Sequence, residues 1–135
     1  MPIPPDITVM VVDDQAPFRA AARAVVDRAG GFRWVGDARS GEDALVEAER
    51  LRPDLVLMDI HLGAMSGIDA TRHVLQDRPG TVVVLCSSHD HTDLPEGART
   101  CGALAYVHKE ELSGAALREL WERRGEVWVE RLGPA

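Results

Sequence analysis

The 135-residue sequence lacks several features that would by themselves indicate a function class. Its two cysteines, Cys86 and Cys101, follow neither a metal-binding nor a redox spacing, which predicts a reduced, cytoplasmic protein. Lysine and arginine total 15 against 22 acidic residues, so the chain lacks the basic surface that binding to nucleic-acid phosphates needs. No positively charged segment followed by an apolar stretch opens the chain, and its apolar segments are far shorter than the roughly 20 residues that cross a bilayer. We therefore expect neither direct nucleic-acid binding nor a membrane span.

What the sequence does contain is a series of short apolar segments separated by helix-like stretches. The segments are ITVMVV (7–12), FRWVGD (32–37), DLVLMD (54–59), TVVVLC (81–86) and ALAYVH (103–108). Three of them are unbroken and rich in Val, Ile and Leu, as in parallel strands covered on both faces. Between them apolar residues recur at helical spacing, as Phe18, Ala22 and Val25 do. Strand and helix alternate five times, which predicts an α/β fold with a mostly parallel sheet and helices on both faces.

The chain divides into one domain with two short ends. Residues 6–124 hold all the alternating segments, residues 1–5 form an N-terminal tail, and residues 125–135 (GEVWVERLGPA) stand apart as a C-terminal tail. In that tail Trp128 alternates with charged residues. It either extends the last helix or supplies an apolar anchor for a partner or a second subunit, since aromatic residues are favoured at interface centres.

Polar side chains follow the predicted strands at the points where the strands end. Asp13 and Asp14 end the first segment, Asp59 ends the third, and Ser87 and Lys109 follow the fourth and fifth. Ligands bind beyond the carboxyl ends of parallel strands, so we expect these side chains at one edge. Three carboxylates need a cation to offset their repulsion, and hard oxygen ligands suit Mg²⁺ with a phosphoryl group. Lys109 and Ser87 would then contact phosphoryl oxygens while Asp59 acts as the nucleophile.

In their order and spacing these residues resemble the receiver domains of response regulators in two-component signalling. The resemblance spans about residues 6–124 and rests on the acidic pair, the stretch LVLMDIHLGAMSGIDATR around Asp59, Ser87, and Lys109 after ALAYVH. It implies a doubly wound, five-stranded parallel sheet in the flavodoxin-like order 2-1-3-4-5. The similarity is closest to receivers that precede a LuxR-type DNA-binding domain.

The resemblance implies a metal and phosphoryl site. Asp59 would be the phosphoacceptor, and Asp14 and Asp59 would bind Mg²⁺ directly. Asp13 would act through a metal-bound water, and the backbone carbonyl of His61 would be a further ligand. Lys109 would pair with the phosphoryl group.

The resemblance also implies switch residues. Ser87, rather than its neighbour Ser88, and Tyr106 resemble the two residues that move together on phosphorylation. His61 and His89 lie two residues after the phosphoacceptor and two after Ser87, at positions that flank the path of water to the phosphoryl group. We expect this histidine pair to set the lifetime of the phosphorylated form.

Two loop positions depart from the family pattern, which commonly has proline at both. Gly63 occupies one, and we expect it to loosen the loop that carries His61. Glu110 occupies the other, directly after Lys109, and predicts a trans peptide there.

The function that the resemblance implies is a phosphorylation-controlled switch, not an enzyme with an external substrate. A histidine kinase or phosphotransfer protein would supply the phosphoryl group, and the face formed by the fourth helix, fifth strand and fifth helix would change shape. Only eleven residues follow position 124, too few for a helix-turn-helix, so we expect a downstream protein partner unless the chain is part of a longer regulator. A homodimer that depends on phosphorylation is a further expected partner.

Other interpretations stay open. One is a phosphorylation-independent interaction module with the same fold. A second is an aspartyl-nucleophile phosphatase of the haloacid-dehalogenase type, although His61 occupies the position where those enzymes usually have a second acid. A nucleotide-binding domain is disfavoured because no glycine-rich loop follows the first strand. His61, His89, His91 and Asp90 also allow a zinc site.

Overall fold

The computed structural model describes residues 6–89 and 94–131. Its strands are β1 (Ile7–Val12), β2 (Phe32–Ala38), β3 (Leu55–Asp59), β4 (Val82–Ser87), β5 (Ala105–His108) and β6 (Val129–Arg131). Its α-helices are α1 (Ala16–Arg28), α2 (Gly41–Leu51), α3 (Gly67–Asp77) and α4 (Gly114–Glu122). A 3-10 turn at Lys109–Glu111 follows β5. Each of the five predicted segments contains a strand.

The strands form one parallel sheet in the order β2-β1-β3-β4-β5-β6. The predicted order 2-1-3-4-5 is therefore confirmed. Both β1 and β3 have a strand on each side, and their apolar residues are almost completely buried, which explains their unbroken apolar sequences. The strand order reverses between β1 and β3, so the carboxyl ends of these two strands mark the expected binding edge.

Helices cover both faces of this sheet, as predicted. One apolar cluster lies on the side of α2 and α3, and the other on the side of α1 and α4. Cys101 belongs to the first cluster and Cys86 to the second, and both are free and buried. The two cysteines therefore pack on opposite faces of the sheet. Among the described residues, no helix has the length and apolarity that crossing a bilayer needs.

Serine residues begin three of the four described helices. The hydroxyls of Ser40, Ser66 and Ser113 each accept a hydrogen bond from a backbone N–H in the first turn, at 3.0, 3.1 and 3.1 Å. Such caps satisfy a donor that the helix itself leaves unpaired. They fix the start of α2, α3 and α4 close to the carboxyl ends of the preceding strands.

The region between β4 and β5 differs from the prediction. The alternating pattern predicted a helix here, the fourth of five, but described residues 94–104 form turns. Gly97 and Gly102 have φ angles of +89° and +101°, a conformation that interrupts a right-handed helix. The side chains of Ala98 and Cys101 still pack into the α2–α3 cluster, so these turns cover the sheet in place of a helix.

Part of the C-terminal segment 125–135, predicted from the sequence to be a tail, joins the sheet as β6. β6 pairs in parallel with β5, the N–H of Val129 donates to the carbonyl of Leu104 at 2.7 Å, and the Val129 side chain is buried. Trp128 packs against the α2–α3 cluster, which includes Tyr106. Trp128 therefore does not extend the last helix, and its indole packs on the domain itself.

Candidate functional site

Three carboxylates meet where β1 and β3 end. Oxygens of Asp13, Asp14 and Asp59 lie within 4.8 Å of one another. Asp13 is fully buried and Asp59 is nearly so, whereas Asp14 is exposed. Among the residues that the structure describes, no other cluster of three or more acidic, histidine or cysteine side chains has metal-ligand spacing. The sequence-predicted acidic cluster is thus assembled at the edge that the topology selects.

The surroundings of Asp59 disfavour its ionised form. Burial, and after it the charge of Asp13, raises the pKa of Asp59 to about 6, while the nearby Lys109 ammonium lowers it. The backbone N–H of His61 donates to Asp59 Oδ1 at 3.4 Å, which is a long hydrogen bond. These groups offset the cost of an ionised Asp59 only in part, and a bound cation would offset more of it.

Lys109 supplies the positive side chain at this edge. Its Nζ lies 2.7 Å from Asp13 Oδ2 and 4.0 Å from Asp59 Oδ1, and its side chain is 16% exposed. Apart from this ion pair, the buried Oδ2 of Asp13 accepts no hydrogen bond from the described residues. In this structure Lys109 therefore pairs closely with Asp13 and is within reach of Asp59.

The first turn of α1 holds Asp13 in place. The N–H of Gln15 donates to Asp13 Oδ1 at 2.9 Å, and the Arg19 guanidinium donates to the Asp13 carbonyl at 2.8 Å. Arg19 also pairs with Asp37 at the end of β2, at 3.2 Å. Sequence reasoning missed Arg19, although a basic residue one turn after an acidic pair is a signal that could have been used.

Sequence reasoning also missed Gly67, which allows the start of α3 to lie against the backbone of Asp59. A Cβ atom at position 67 would lie 1.9 Å from the Asp59 carbonyl oxygen. No side chain fits there without moving the backbone. Position 63, in the same loop, has φ of +80°, which the ring of proline cannot adopt. Glycine adopts this angle without a steric penalty.

Ser87 lies at the end of β4, beside Asp59 in the neighbouring strand, because Cys86 and Asp59 are paired in register. Its hydroxyl is 3.1 Å from His89 Nδ1 and accepts a hydrogen bond from the His89 N–H at 3.0 Å. The rings of His61 and His89 lie 4.5 Å apart, centroid to centroid. Burial, and after it the neighbouring His89, lowers the pKa of His61. The structure therefore brings the two predicted lifetime residues together next to the predicted hydroxyl.

Tyr106 is already turned inward in this structure. Its ring is fully buried, and its hydroxyl donates to the backbone carbonyls of His89 and, at 3.4 Å, of Ser87. His89 therefore links the two predicted switch residues, because its ring bonds the Ser87 hydroxyl and its carbonyl accepts from Tyr106.

A third histidine, His108, fixes the backbone around Lys109. The N–H of Glu110 donates to His108 Nδ1 at 3.1 Å, so the ring hydrogen lies on Nε2, 3.1 Å from the Ser88 carbonyl. This contact ties the turn after β5 to the end of β4. Every described peptide bond is trans, including the one after Lys109.

Comparison with known proteins assigns the family. The model of the response regulator receiver domain matches residues 9–120, which contain all the residues of this site. The chain belongs to the response regulator receiver domain family. Receiver domains are the signal-accepting parts of two-component response regulators, which agrees with the resemblance inferred from the sequence.

Several relatives share this receiver domain. The response regulator GacA of Pseudomonas aeruginosa is 35% identical over 123 residues, covering 91% of this chain and 56% of GacA. A LuxR-family response regulator from Aurantimonas sp. SI85-9A1 has a TM-score of 0.77 at 29% identity, covering 87% of this chain and 84% of that one. The receiver domain of the response regulator NarL from Mycobacterium tuberculosis has a TM-score of 0.77 at 28% identity, covering 87% of this chain and 98% of that one. The chain spans about half the length of the curated relatives it matches.

The acidic cluster of this receiver domain fits Mg²⁺. All of its side-chain donors are carboxylate oxygens, one carboxylate is open to solvent, and a buried oxygen of Asp13 is satisfied by an ion pair alone. Mg²⁺ prefers such oxygen ligands and keeps several waters. Asp90 and His91, which the zinc interpretation needs beside His61 and His89, lie outside the described residues.

Proposed function

We propose that this receiver domain is a phosphorylation-controlled switch that accepts a phosphoryl group on Asp59 from a histidine kinase or phosphotransfer protein. The supporting observation is the placement of Asp59. It ends β3 with its carboxylate within 4.8 Å of two other acids and 4.0 Å from the Lys109 ammonium. A carboxylate so placed combines a nucleophile with the groups that neutralise phosphoryl charge.

Mg²⁺ is the cofactor in this proposal. Asp14, Asp59 and the backbone carbonyl of His61 would hold it directly, and Asp13 would hold it through a water. When bound, the metal offsets the carboxylate charges and neutralises phosphoryl oxygens.

The transfer step needs Asp59 in its ionised form. With a pKa of about 6, Asp59 is mainly a carboxylate at neutral pH. One of its oxygens attacks phosphorus, the P–N bond to the donor histidine breaks, and the imidazole nitrogen keeps the bonding electrons. Lys109 moves from Asp13 toward the transferred group and pairs with its oxygens.

The switch follows from the hydrogen bonds around His89. When a phosphoryl group occupies Asp59, the Ser87 hydroxyl exchanges its bond to the His89 ring for one to a phosphoryl oxygen. Tyr106 shares His89 as a partner, so the change reaches β5. The altered surface consists of residues 94–104, β5 and α4, with β6 at its edge. Such a shift changes the populations of two pre-existing states.

His61 and His89 set the lifetime of the phosphorylated form in this proposal. Their rings lie 4.5 Å apart, the His89 ring bonds the Ser87 hydroxyl, and the backbone N–H of His61 donates to Asp59. Both side chains are exposed, and in this proposal they limit the access of water to the acceptor. We place the protein in the cytoplasm, with a downstream protein or a phosphorylation-dependent second copy as the output partner, and without turnover of an external substrate.

Intact mass spectrometry tests the proposal directly. The full chain is incubated with Mg²⁺ and acetyl phosphate, with and without excess chelator, beside Asp59→Asn. A metal-dependent gain of one phosphoryl group in the wild type and none in the variant is expected. No gain in either protein, with the fold intact, would favour the phosphorylation-independent module. Steady turnover of a generic phosphate ester would favour the phosphatase.

A further inference from the structure

The Lys109 ammonium contacts an aromatic ring as well as the carboxylates. Its Nζ lies 4.5 Å from the centroid of the Phe18 ring, in α1. A cation within about 6 Å of a ring centroid is attracted by the negative face of the ring. The ammonium is therefore held by Asp13 at 2.7 Å, by Asp59 at 4.0 Å and by the Phe18 ring.

The helical turn that carries Phe18 is anchored to the site. Its neighbour Arg19 donates to the Asp13 carbonyl and pairs with Asp37, which anchors the first turn of α1 to the ends of β1 and β2. Pro17 restricts the backbone of the same turn. The backbone that carries Phe18 is thus anchored beside Asp13.

We propose that Phe18 is a positioning residue for Lys109, an inference that rests on the proposed phosphorylation of Asp59. The ion pair with Asp13 alone would hold the ammonium away from the acceptor. The Phe18 ring supplies an attraction that does not depend on Asp13, and it is kept as long as Nζ stays over the ring face within about 6 Å of the centroid. Phe18 thereby lowers the cost of the movement that the transfer step requires.

The competing explanation is that Phe18 only packs, since it also contacts the apolar cluster on the α1 side. Three substitutions separate the two roles. Phe18→Leu keeps apolar volume and removes the ring, and Phe18→Tyr keeps the ring. Phe32→Leu is the matched control, because Phe32 is the other phenylalanine of the chain, belongs to the same cluster and starts β2 at the opposite end of the sheet.

The contact can be measured without phosphorylation. Lys109 is the only lysine in the sequence, so isotope-labelled lysine gives a single set of side-chain NMR signals. We expect the ring current of Phe18 to shift the ε-methylene protons of Lys109 upfield in the wild type, in Phe18→Tyr and in Phe32→Leu, and to be lost in Phe18→Leu. An ε-methylene shift that is the same in the wild type and in Phe18→Leu would overturn the contact.

The role is tested by phosphorylation rates in a double-mutant cycle with Lys109→Gln. Phe18→Leu should slow labelling by acetyl phosphate and Mg²⁺ about two- to fivefold, and Phe18→Tyr should restore the rate. In the Lys109→Gln background, Phe18→Leu should cause no further loss. If Phe18→Leu slows labelling equally in the wild-type and Lys109→Gln backgrounds, or slows it in neither, the positioning role of Phe18 is overturned. Either result would leave the proposed phosphorylation of Asp59 standing. A wild type that is never labelled would overturn the proposed function and the role with it.

Discussion

The start of α3 touches the backbone at the end of β3, because a Cβ atom on Gly67 would lie 1.9 Å from the carbonyl oxygen of Asp59. The N–H of Gly67 also donates to the Ile60 carbonyl at 2.9 Å. Glycine at this position allows the helix to approach the strand end closely. The position of the loop around His61 therefore depends on the size of one residue.

Gly67→Ala should destabilise the fold. The added methyl group must displace backbone atoms, and overpacking of this kind costs about 1 to 3 kcal/mol. Urea unfolding should show this loss as a lower midpoint. Gly80→Ala is the matched control, because nothing lies within 4 Å of a Cβ atom there. Equal stability of the two variants would contradict the close approach.

Asp59→Asn should stabilise the metal-free protein at neutral pH. Burial, and after it the charge of Asp13, raises the pKa of Asp59 from 3.8 to about 6 in the folded state. Between these values the folded state keeps a proton that the unfolded chain loses, so wild-type stability falls as pH rises through this window. The gain should reach about 1 to 3 kcal/mol at pH 7.5 and shrink toward zero near pH 4.

This pH dependence is measured by urea unfolding in the presence of chelator. The exposed Asp77→Asn serves as control and should change stability by less than about 0.5 kcal/mol. If Asp59→Asn gains the same stability at pH 4 as at pH 7.5, the negative charge of Asp59 is not the cause of the gain. Adding Mg²⁺ should stabilise the wild type more than Asp59→Asn at pH 7.5.

Replacing both His61 and His89 with alanine should shorten the lifetime of the phosphorylated form. The two rings are 4.5 Å apart. In the proposed function they shield the phosphorylated Asp59 from solvent, so their removal should admit water to the phosphorus atom. We expect hydrolysis to become about two- to tenfold faster, measured as loss of the phosphorylated mass after the donor is removed. His73→Ala, an exposed histidine on α3, is the control. An unchanged hydrolysis rate in the double variant would reject the lifetime role.

Sequence patterns predicted the sheet and the acidic cluster because each depends on local signals. Apolar segments predicted the strands, and Asp13, Asp59 and Lys109 lie at strand ends that the topology must bring together. Contacts such as that of Phe18 with Lys109 join residues far apart in the chain, and no local pattern encodes them.

The segment before β5 and the strand beside it also could not be predicted from local patterns. The helix predicted before β5 is replaced in residues 94–104 by turns, because glycines at positive φ outweigh the alternating pattern. The short segment VER, with one apolar residue, carries no strand signal of its own, and it becomes β6 only because the edge of β5 offers unpaired backbone groups.

Val129→Pro should detach β6 from the sheet. Proline removes the N–H that donates to the Leu104 carbonyl at 2.7 Å. Detachment would also expose the buried position 129 and break the contact of Trp128 with the α2–α3 cluster. Loss of one hydrogen bond and part of one apolar side chain should cost about 1 to 3 kcal/mol in urea unfolding. Val127→Pro, at a side chain that is 90% exposed, is the control and should cost less. Equal unfolding midpoints for wild type and Val129→Pro would show that β6 does not contribute to the stability of the domain.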